Sequence, residues 1–219
     1  MTVEQAVSLT TRLHLVRHGE STHNAEGRIQ GHSDTALSEL GRRQGEAAAA
    51  ALAALPVDAI FSSPLRRARE TAEAIAERQG KLVQTDRRLM ELNVGMFQDR
   101  LRSELAEECP VEFSRWLSGD DDYVIPGGES RHQLLDRATA AIGEIVAAGH
   151  REVVVVTHGG LLSVLLRHLL QWPEPLPPFS FKNGSITRLA VDDEGQFKML
   201  ALSETAHLEK AGISLGLDL

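Results

Sequence analysis

Hydrophobic and polar positions change their period several times along the chain, and each change predicts an element. Residues 1–11 read as a loose tail. Leu13 to Arg17 is a short apolar run with the β-branched Val16, which predicts a buried strand. Ser21 to Thr35 is polar and carries Gly27 and Gly31, a loop with a helical turn. Ser38 is a helix N-cap with Glu39 in the first turn, and the alanine-rich helix behind it ends before Pro56. Val57 to Ser62 is a second strand. Ser63 and Pro64 open the next helix, whose face is Ala68, Ala72 and Ile75 and whose stop is Gly80. Leu82 to Thr85 reads as an edge strand, and residues 92–126 as irregular chain with one or two short helices and an acidic turn at Gly119 to Asp122. After Pro126-Gly127-Gly128, Ser130 starts a helix reaching about Ala148. Glu152 to Thr157, with its run of valines, is the clearest buried strand. A helix then runs from His158-Gly159-Gly160 to about Gln171. The prolines between Trp172 and Pro178 predict an extended connection. Ser185 to Val191 and Gln196 to Leu202 flank Asp192-Asp193-Glu194-Gly195 as a hairpin.

Strands alternating with helices predict an α/β fold: a three-layer α/β/α sandwich around a mostly parallel mixed sheet, with a C-terminal antiparallel hairpin. No repeat or composition break divides the 219 residues, so one domain is expected.

Composition narrows the partners. The formal charge is −8 and no basic tract exists, which argues against nucleic acid or an anionic membrane as partner. Any anion must bind in a local positive pocket. A single cysteine, Cys109, precludes an internal disulfide and fits a reducing compartment. No run is long and apolar enough to cross a membrane, and Met1 to Thr11 lacks the pattern of a signal peptide, so a cytoplasmic location is expected. The oligomeric state is not written in the sequence, and a homodimer stays open.

Two predicted strands end in the same chemical phrase, Arg17-His18-Gly19 and Thr157-His158-Gly159. Gly19 allows a sharp bend after His18, and Arg17 offers a planar fork of donors for phosphate oxygens. If the strands are neighbours, two imidazoles meet at the carboxyl end of the sheet, where open α/β sheets place their ligands. Each would face a helix N-terminus, which attracts anions.

The run Arg17-His18-Gly19-Glu20-Ser21-Thr22-His23-Asn24 resembles the signature of the histidine phosphatase superfamily, also called the phosphoglycerate-mutase-like family. Gln30-Gly31, Ser62-Ser63-Pro64-Leu65-Arg66-Arg67-Ala68, Leu89-Met90-Glu91 with Gly95, Pro126-Gly127-Gly128-Glu129-Ser130 and Val156-Thr157-His158-Gly159-Gly160 follow in the family's order. The resemblance spans Leu13 to Leu208. It implies that His18 is the nucleophile that becomes a phosphohistidine and that Glu91 is the proton donor. Arg17, Arg67, Asn24 and His158 would surround the phosphate, with Gln30, Gly31 and Gly159 completing the pocket. It implies neither metal nor cofactor, and a small phosphorylated metabolite as substrate. Arg17 and Arg67 would push the His18 pKa down toward the neutral, attacking form.

One departure stands out. The family often continues the acid segment to a second glycine, where this chain has Asp99 in Gly95-Met96-Phe97-Gln98-Asp99, and that questions the local backbone path. Between Glu91 and Pro126 there is no adjacent basic pair of the kind that mutases use for a substrate carboxylate, only Arg100, Arg102 and Arg115. Water is therefore the expected acceptor and a phosphomonoesterase the expected activity. A phosphoglycerate-type mutase and a non-catalytic phosphometabolite-binding protein are the alternatives, and a metallohydrolase built on His18, His23, Asp34 and His158 a distant further one. Phe97, Phe113, Trp116 and Tyr123 either pin this segment to the sheet or wall the organic half of the ester. His14 is expected to pack within the sheet, and His32, His132, His150, His168 and His207 at the surface. Glu129 serves either a pocket arginine or the following helix dipole.

Overall fold

Val153 to Val156 have no solvent exposure, and a strand buried on both faces needs partners at both edges and a layer above and below. The computed structural model, which describes residues 9–172 and 179–214, supplies both. The six strands are β1 (Leu9–Arg17), β2 (Ala59–Ser62), β3 (Val83–Thr85), β4 (Glu152–Thr157), β5 (Ile186–Asp192) and β6 (Phe197–Glu204). They form one sheet in the order β3-β2-β4-β1-β5-β6. β4 runs parallel to β1 and β2, β2 parallel to β3, and the terminal hairpin is antiparallel, with β5 against β1 and β6 against β5.

The helices are α1 (Thr22–Ala25), α2 (Glu39–Leu52), α3 (Arg66–Gln79), α4 (Arg102–Glu108), α5 (Pro110–Leu117), α6 (Arg131–Ala147), α7 (Gly159–Leu169) and α8 (Ala206–Lys210). Strand alternation sorts the core into two layers. Val16, Val154 and Val156 pack against Ala48 and Leu52 of α2 and Ala68, Ala72 and Ile75 of α3. Leu13, Leu15, Val153 and Val155 face Leu134 and Ile142 of α6, Leu161 and Leu165 of α7, and Phe97 and Phe113 beside the short helices. The expected sandwich is the observed one.

Local capping follows the sequence in places. Ser38 Oγ accepts the Gly41 N–H at 3.0 Å, Ser130 makes a capping box with Gln133, and Gly80 closes α3 in the left-handed conformation. Three boundaries move. β1 begins at Leu9, inside the expected tail, because β5 pairs with it as far as Asp192. β2 begins at Ala59 rather than Val57. α3 begins at Arg66 without a side-chain cap, since Ser63 Oγ bonds the Leu65 N–H two residues ahead of the helix. Residues 92–126 form α4 and α5 behind a single 3-10 turn at Gly95–Phe97. The expected proline-rich connection over 173–178 lies outside the described residues. No helix among those described is long and apolar enough to cross a membrane.

Candidate active site

The register of two central strands builds the centre. Arg17 on β1 pairs with Thr157 on β4, and the His18 N–H continues the ladder to the Thr157 carbonyl at 3.0 Å. His18 and His158 therefore leave the sheet at the same level, with ring centroids 5.0 Å apart. His158 is the N-cap residue of α7. His18 leads into the expected loop with one helical turn, α1, which Ser21 caps.

Gly19 is required for space rather than for a special bend. It is not among the residues with positive φ. A Cβ placed on it would lie 2.3 Å from the Gly41 carbonyl oxygen. Its N–H donates to Thr71 Oγ1 at 3.1 Å, which fixes the carbonyl that receives His18 Nδ1 at 2.6 Å. With the proton held at Nδ1, Nε2 carries the lone pair. Arg67 Nε reaches that nitrogen at 3.3 Å. Burial, reinforced by Arg67 and Arg17, holds the His18 pKa well below its ordinary value. Burial comes first for His158 as well, with Arg67 and His18 adding. The ring is neutral because it is dry as much as because cations face it.

Arg67, and not Arg66, enters the site, as the register of its motif suggested. It is 1% exposed, with NH1 on the Ser33 carbonyl at 2.7 Å and NH2 on the Gly31 carbonyl at 2.9 Å. Burial pulls its pKa down to about 10, which leaves it a cation at neutral pH. Arg17 donates to the Phe181 carbonyl. Asn24 and Gln30 line the cavity with their amides fixed. Asn24 Oδ1 takes bonds from Ser21 and from Asn183 Nδ2, and Gln30 Oε1 takes the Ser21 and Thr35 hydroxyls at 2.6 and 2.7 Å. Each amide is thus turned with its NH2 left for another acceptor. Gly31 also lines the cavity, whereas Gly159 does not. Arg17 Nε would stand 3.3 Å from a Cβ on Gly159, so that glycine supports the arginine rather than a ligand.

His158 Nε2 lies 2.8 Å from Ser63 Oγ. That hydroxyl also accepts the Leu65 N–H at 3.3 Å. His158 Nδ1 is buried with no hydrogen-bond partner among the described residues.

Glu91 is docked rather than loose. Oε1 accepts the N–H groups of Leu92 and Leu161, both at 2.9 Å, and Oε2 accepts that of Gly160 at 3.0 Å. Two of these donors belong to the first turn of α7, whose N–H groups have no partner within the helix. Behind it, the Glu91 carbonyl receives His32 Nε2 and Arg137 NH2, each at 2.8 Å. His32 is therefore a half-buried brace and not the surface residue expected. Glu129 grips Arg137 at 2.6 and 3.0 Å, so it serves an arginine outside the pocket. His207 too is held inward, on the Gly184 carbonyl at 2.9 Å, while His14 pairs with Glu152 at 2.7 Å within the sheet as expected.

The departure at Asp99 puts a non-glycine residue in a glycine-like backbone position. Asp99 adopts φ 66°, the left-handed conformation that favours glycine. Its carboxylate is held by Ser33 Oγ and by His23 Nε2 at 3.1 Å, and its carbonyl by Arg28 NH1 at 2.8 Å. Local hydrogen bonds offset the strain, as Asp side chains do in this region. His23 and Asp34, the latter bonded to the Arg66 N–H at 2.6 Å, are engaged elsewhere and do not join His18 in a ligand set.

Arg17, His18, Asn24, Gln30, Arg67 and Glu91 line a cavity of about 350 Å³, while His158, fully buried beside His18, is not in its wall. Its outer wall includes Arg28, Arg102 and Gly160, which were not among the predicted site residues, and Trp116, which the sequence offered as a wall. Trp116 satisfies both readings of the aromatic cluster. It packs 5.8 Å from both Phe97 and Phe113 and also faces the cavity. Asn183, which ties the His18 carbonyl at 3.0 Å to Asn24, was also not anticipated.

A family model described as "Histidine phosphatase superfamily (branch 1)" matches residues 13–205. The metal-independent phosphoserine phosphatase of Arabidopsis thaliana is 41% identical over 212 residues, 94% of this chain and 86% of its own. A probable phosphoglycerate mutase of Salmonella choleraesuis is 38% identical over 183 residues, 81% of this chain and 84% of its own. A solved mycobacterial glucosyl-3-phosphoglycerate phosphatase, in complex with VO3, superposes with a TM-score of 0.80 at 34% identity, over 89% of this chain and all of that one.

Proposed function

Because the chain belongs to the histidine phosphatase superfamily, branch 1, we propose that it hydrolyses small phosphate monoesters through a phosphohistidine at His18. The observation that carries this reading is the His18 ring itself: Nδ1–H fixed on the Gly19 carbonyl at 2.6 Å, Nε2 unprotonated and facing Arg67 at 3.3 Å.

In the first step the Nε2 lone pair attacks phosphorus and the bond from phosphorus to the ester oxygen breaks. Charge spread over the phosphoryl oxygens meets Arg17, Arg67 and the amide groups of Asn24 and Gln30, with the His158 ring packed beside His18. The positive charge gained by the His18 ring is delocalised toward Nδ1–H and the Gly19 carbonyl. Glu91 gives a proton to the departing oxygen. Oε1 already accepts two N–H groups and Oε2 only one, so Oε2 is the atom with room for that proton. In the second step Glu91 takes a proton from water, the hydroxide oxygen bonds to phosphorus, and the bond to Nε2 breaks. A metal has no part in either step.

Water as acceptor, rather than a second substrate oxygen, is supported by the segment from Glu91 to Pro126, whose sequence has no adjacent basic pair. The acidic chain with one buried cysteine supports a cytoplasmic location.

The test is rapid quenching with labelled phosphoester. The wild type should form an acid-labile phosphoenzyme and release inorganic phosphate, and His18→Ala should do neither while keeping its circular dichroism spectrum. Labelling that persists in His18→Ala, or isomer formed faster than phosphate from 3-phosphoglycerate, would overturn the reading.

A further inference from the structure

The Glu91 carboxylate rests on α7, but the backbone behind it is held from α6. A guanidinium has five N–H groups to give, and Arg137 of α6 finds an acceptor for every one. NH1 donates to the carbonyls of Arg88 at 2.8 Å and Met90 at 2.7 Å. NH2 donates to the Glu91 carbonyl at 2.8 Å and to Glu129 Oε1 at 2.6 Å, and Nε to Glu129 Oε2 at 3.0 Å. One side chain thus gathers the backbone carbonyls of the segment that ends in the acid.

Glu129 secures the chain on the far side of Glu91. Its Oε1 also accepts the Asn93 N–H at 2.8 Å, and its own N–H donates to the Asn93 carbonyl at 3.0 Å. Gly128 lets the two backbones touch, since a Cβ on it would lie 2.2 Å from that carbonyl oxygen. Burial alone would raise the Glu129 pKa, yet Arg137 and the Asn93 N–H hold it below its ordinary value, so the pair is ionised at neutral pH. Neither Arg137 nor Glu129 lines the cavity. An ion pair shielded from water recovers little beyond its own desolvation cost. What sets this one apart is the strip of backbone that its remaining donors grip.

We infer that Arg137, clamped by Glu129, is a positioning residue for the reaction: it sets Glu91 against the start of α7 and so decides how well the acid reaches the leaving oxygen. The carboxylate can meet the Gly160 and Leu161 N–H groups only while the Glu91 backbone stays where these carbonyl bonds put it. A lysine could not do the same, because an ammonium has three donors on one nitrogen and no planar fork to span the carbonyls and the carboxylate together. The inference rests on the proposed role of Glu91 as proton donor.

The test is the rate of phosphoenzyme formation in single turnovers, measured on monoesters whose leaving groups run from nitrophenol to alkyl alcohols. An acid out of place costs most where the leaving oxygen most needs its proton. Arg137→Lys should therefore slow an alkyl ester by about 10-fold and p-nitrophenyl phosphate much less, with KM little changed. Glu129→Gln keeps its shape and leaves the carbonyl bonds of Arg137 in place, and should show the same tilt at smaller size. Loss of folded protein lowers every ester by one common factor, so the tilt separates positioning from stability. In a Glu91→Gln background, Arg137→Lys should cost the alkyl ester almost nothing more, because both changes remove the same proton transfer. A common factor on all esters in both variants, or an undiminished loss on top of Glu91→Gln, would overturn the inference. Absence of the tilt in Glu91→Gln itself would refute the proton donor and the inference with it. A tilt in Glu91→Gln that neither Arg137→Lys nor Glu129→Gln shares would refute the inference alone.

Discussion

Gly160 has no side chain where Glu91 needs room: a Cβ built on it would lie 2.6 Å from Glu91 Oε1. The close approach lets the carboxylate sit directly on the Gly160 and Leu161 N–H groups at the start of α7. Gly160→Ala would push the carboxylate off its donors while leaving the helix able to form. Turnover of alkyl phosphates should fall at least about 10-fold, as expected for a proton donor out of reach, with a smaller loss on p-nitrophenyl phosphate. Equal losses on both esters would show that Glu91 does not protonate the leaving group.

Glu91→Gln removes the proton but cannot keep the docking. An amide presents one oxygen and one NH2, and the NH2 would face an N–H donor at either seat. We expect turnover of alkyl phosphates to fall by about 10²–10⁴, the usual range for a general acid or base. Stopped-flow measurement with p-nitrophenyl phosphate should then show a burst, because breakdown of the phosphohistidine loses its base. A single linear phase at the wild-type rate would exclude the assignment.

Asp99 separates backbone strain from side-chain anchoring. Asp99→Ala keeps a Cβ in the left-handed region and removes the bonds to Ser33 and His23, whereas Asp99→Gly removes both bonds and strain. Urea denaturation should find the alanine variant less stable than the glycine variant by about 1 kcal/mol. Equal midpoints would mean that the strain is not held at this residue.

Stability should fall in mild acid. His18 and His158 are held below the unfolded value of about 6.5, and His14, His32 and His207 are shifted the same way. Above that pH all are neutral in both states and contribute no pH dependence. As pH drops through it, the unfolded chain takes up protons that the folded chain refuses, and each such group costs about 1.4 kcal/mol per pH unit until its folded pKa is reached. Urea midpoints between pH 7 and 5 should decline, less steeply in His18→Gln. A flat profile would contradict a dry, neutral site.

Chelation should leave the rate unchanged, since Arg17, Arg67 and the two imidazoles carry the electrostatic load. Loss of activity in EDTA, restored by zinc or manganese, would reassign the chemistry.

Much of this arrangement was written locally. The valines of β4, the caps at Ser38 and Ser130 and the two Arg/Thr-His-Gly strand ends depend on neighbours a few residues away, which pattern reasoning reads well. The choice of Arg67 over Arg66 followed from its motif. What escaped was long-range. Asn183 reaches His18 across 165 positions, and the Gly160 seat for Glu91 exists only once α7 and the acid segment meet. His32 looked like a surface residue because nothing near it in sequence announces the Glu91 carbonyl. Asp99 looked like a break in the family pattern because its anchors, Ser33 and His23, lie in another loop.

The pairing of Arg17 with Thr157 has a consequence for how such a protein can change. The level at which the two imidazoles leave the sheet is counted in rungs of its central strands. It is lost only if those strands part. Amide exchange at Val154 to Val156 should accordingly follow global unfolding, while exchange across α4 and α5, with their exposed Val111 and Leu117, runs through smaller openings. The paired imidazoles thus sit in the slowest-opening part of the molecule and the outer cavity wall in one of the fastest. A lineage could replace Arg102 and Trp116 many times without once disturbing the register that sets His18 beside His158.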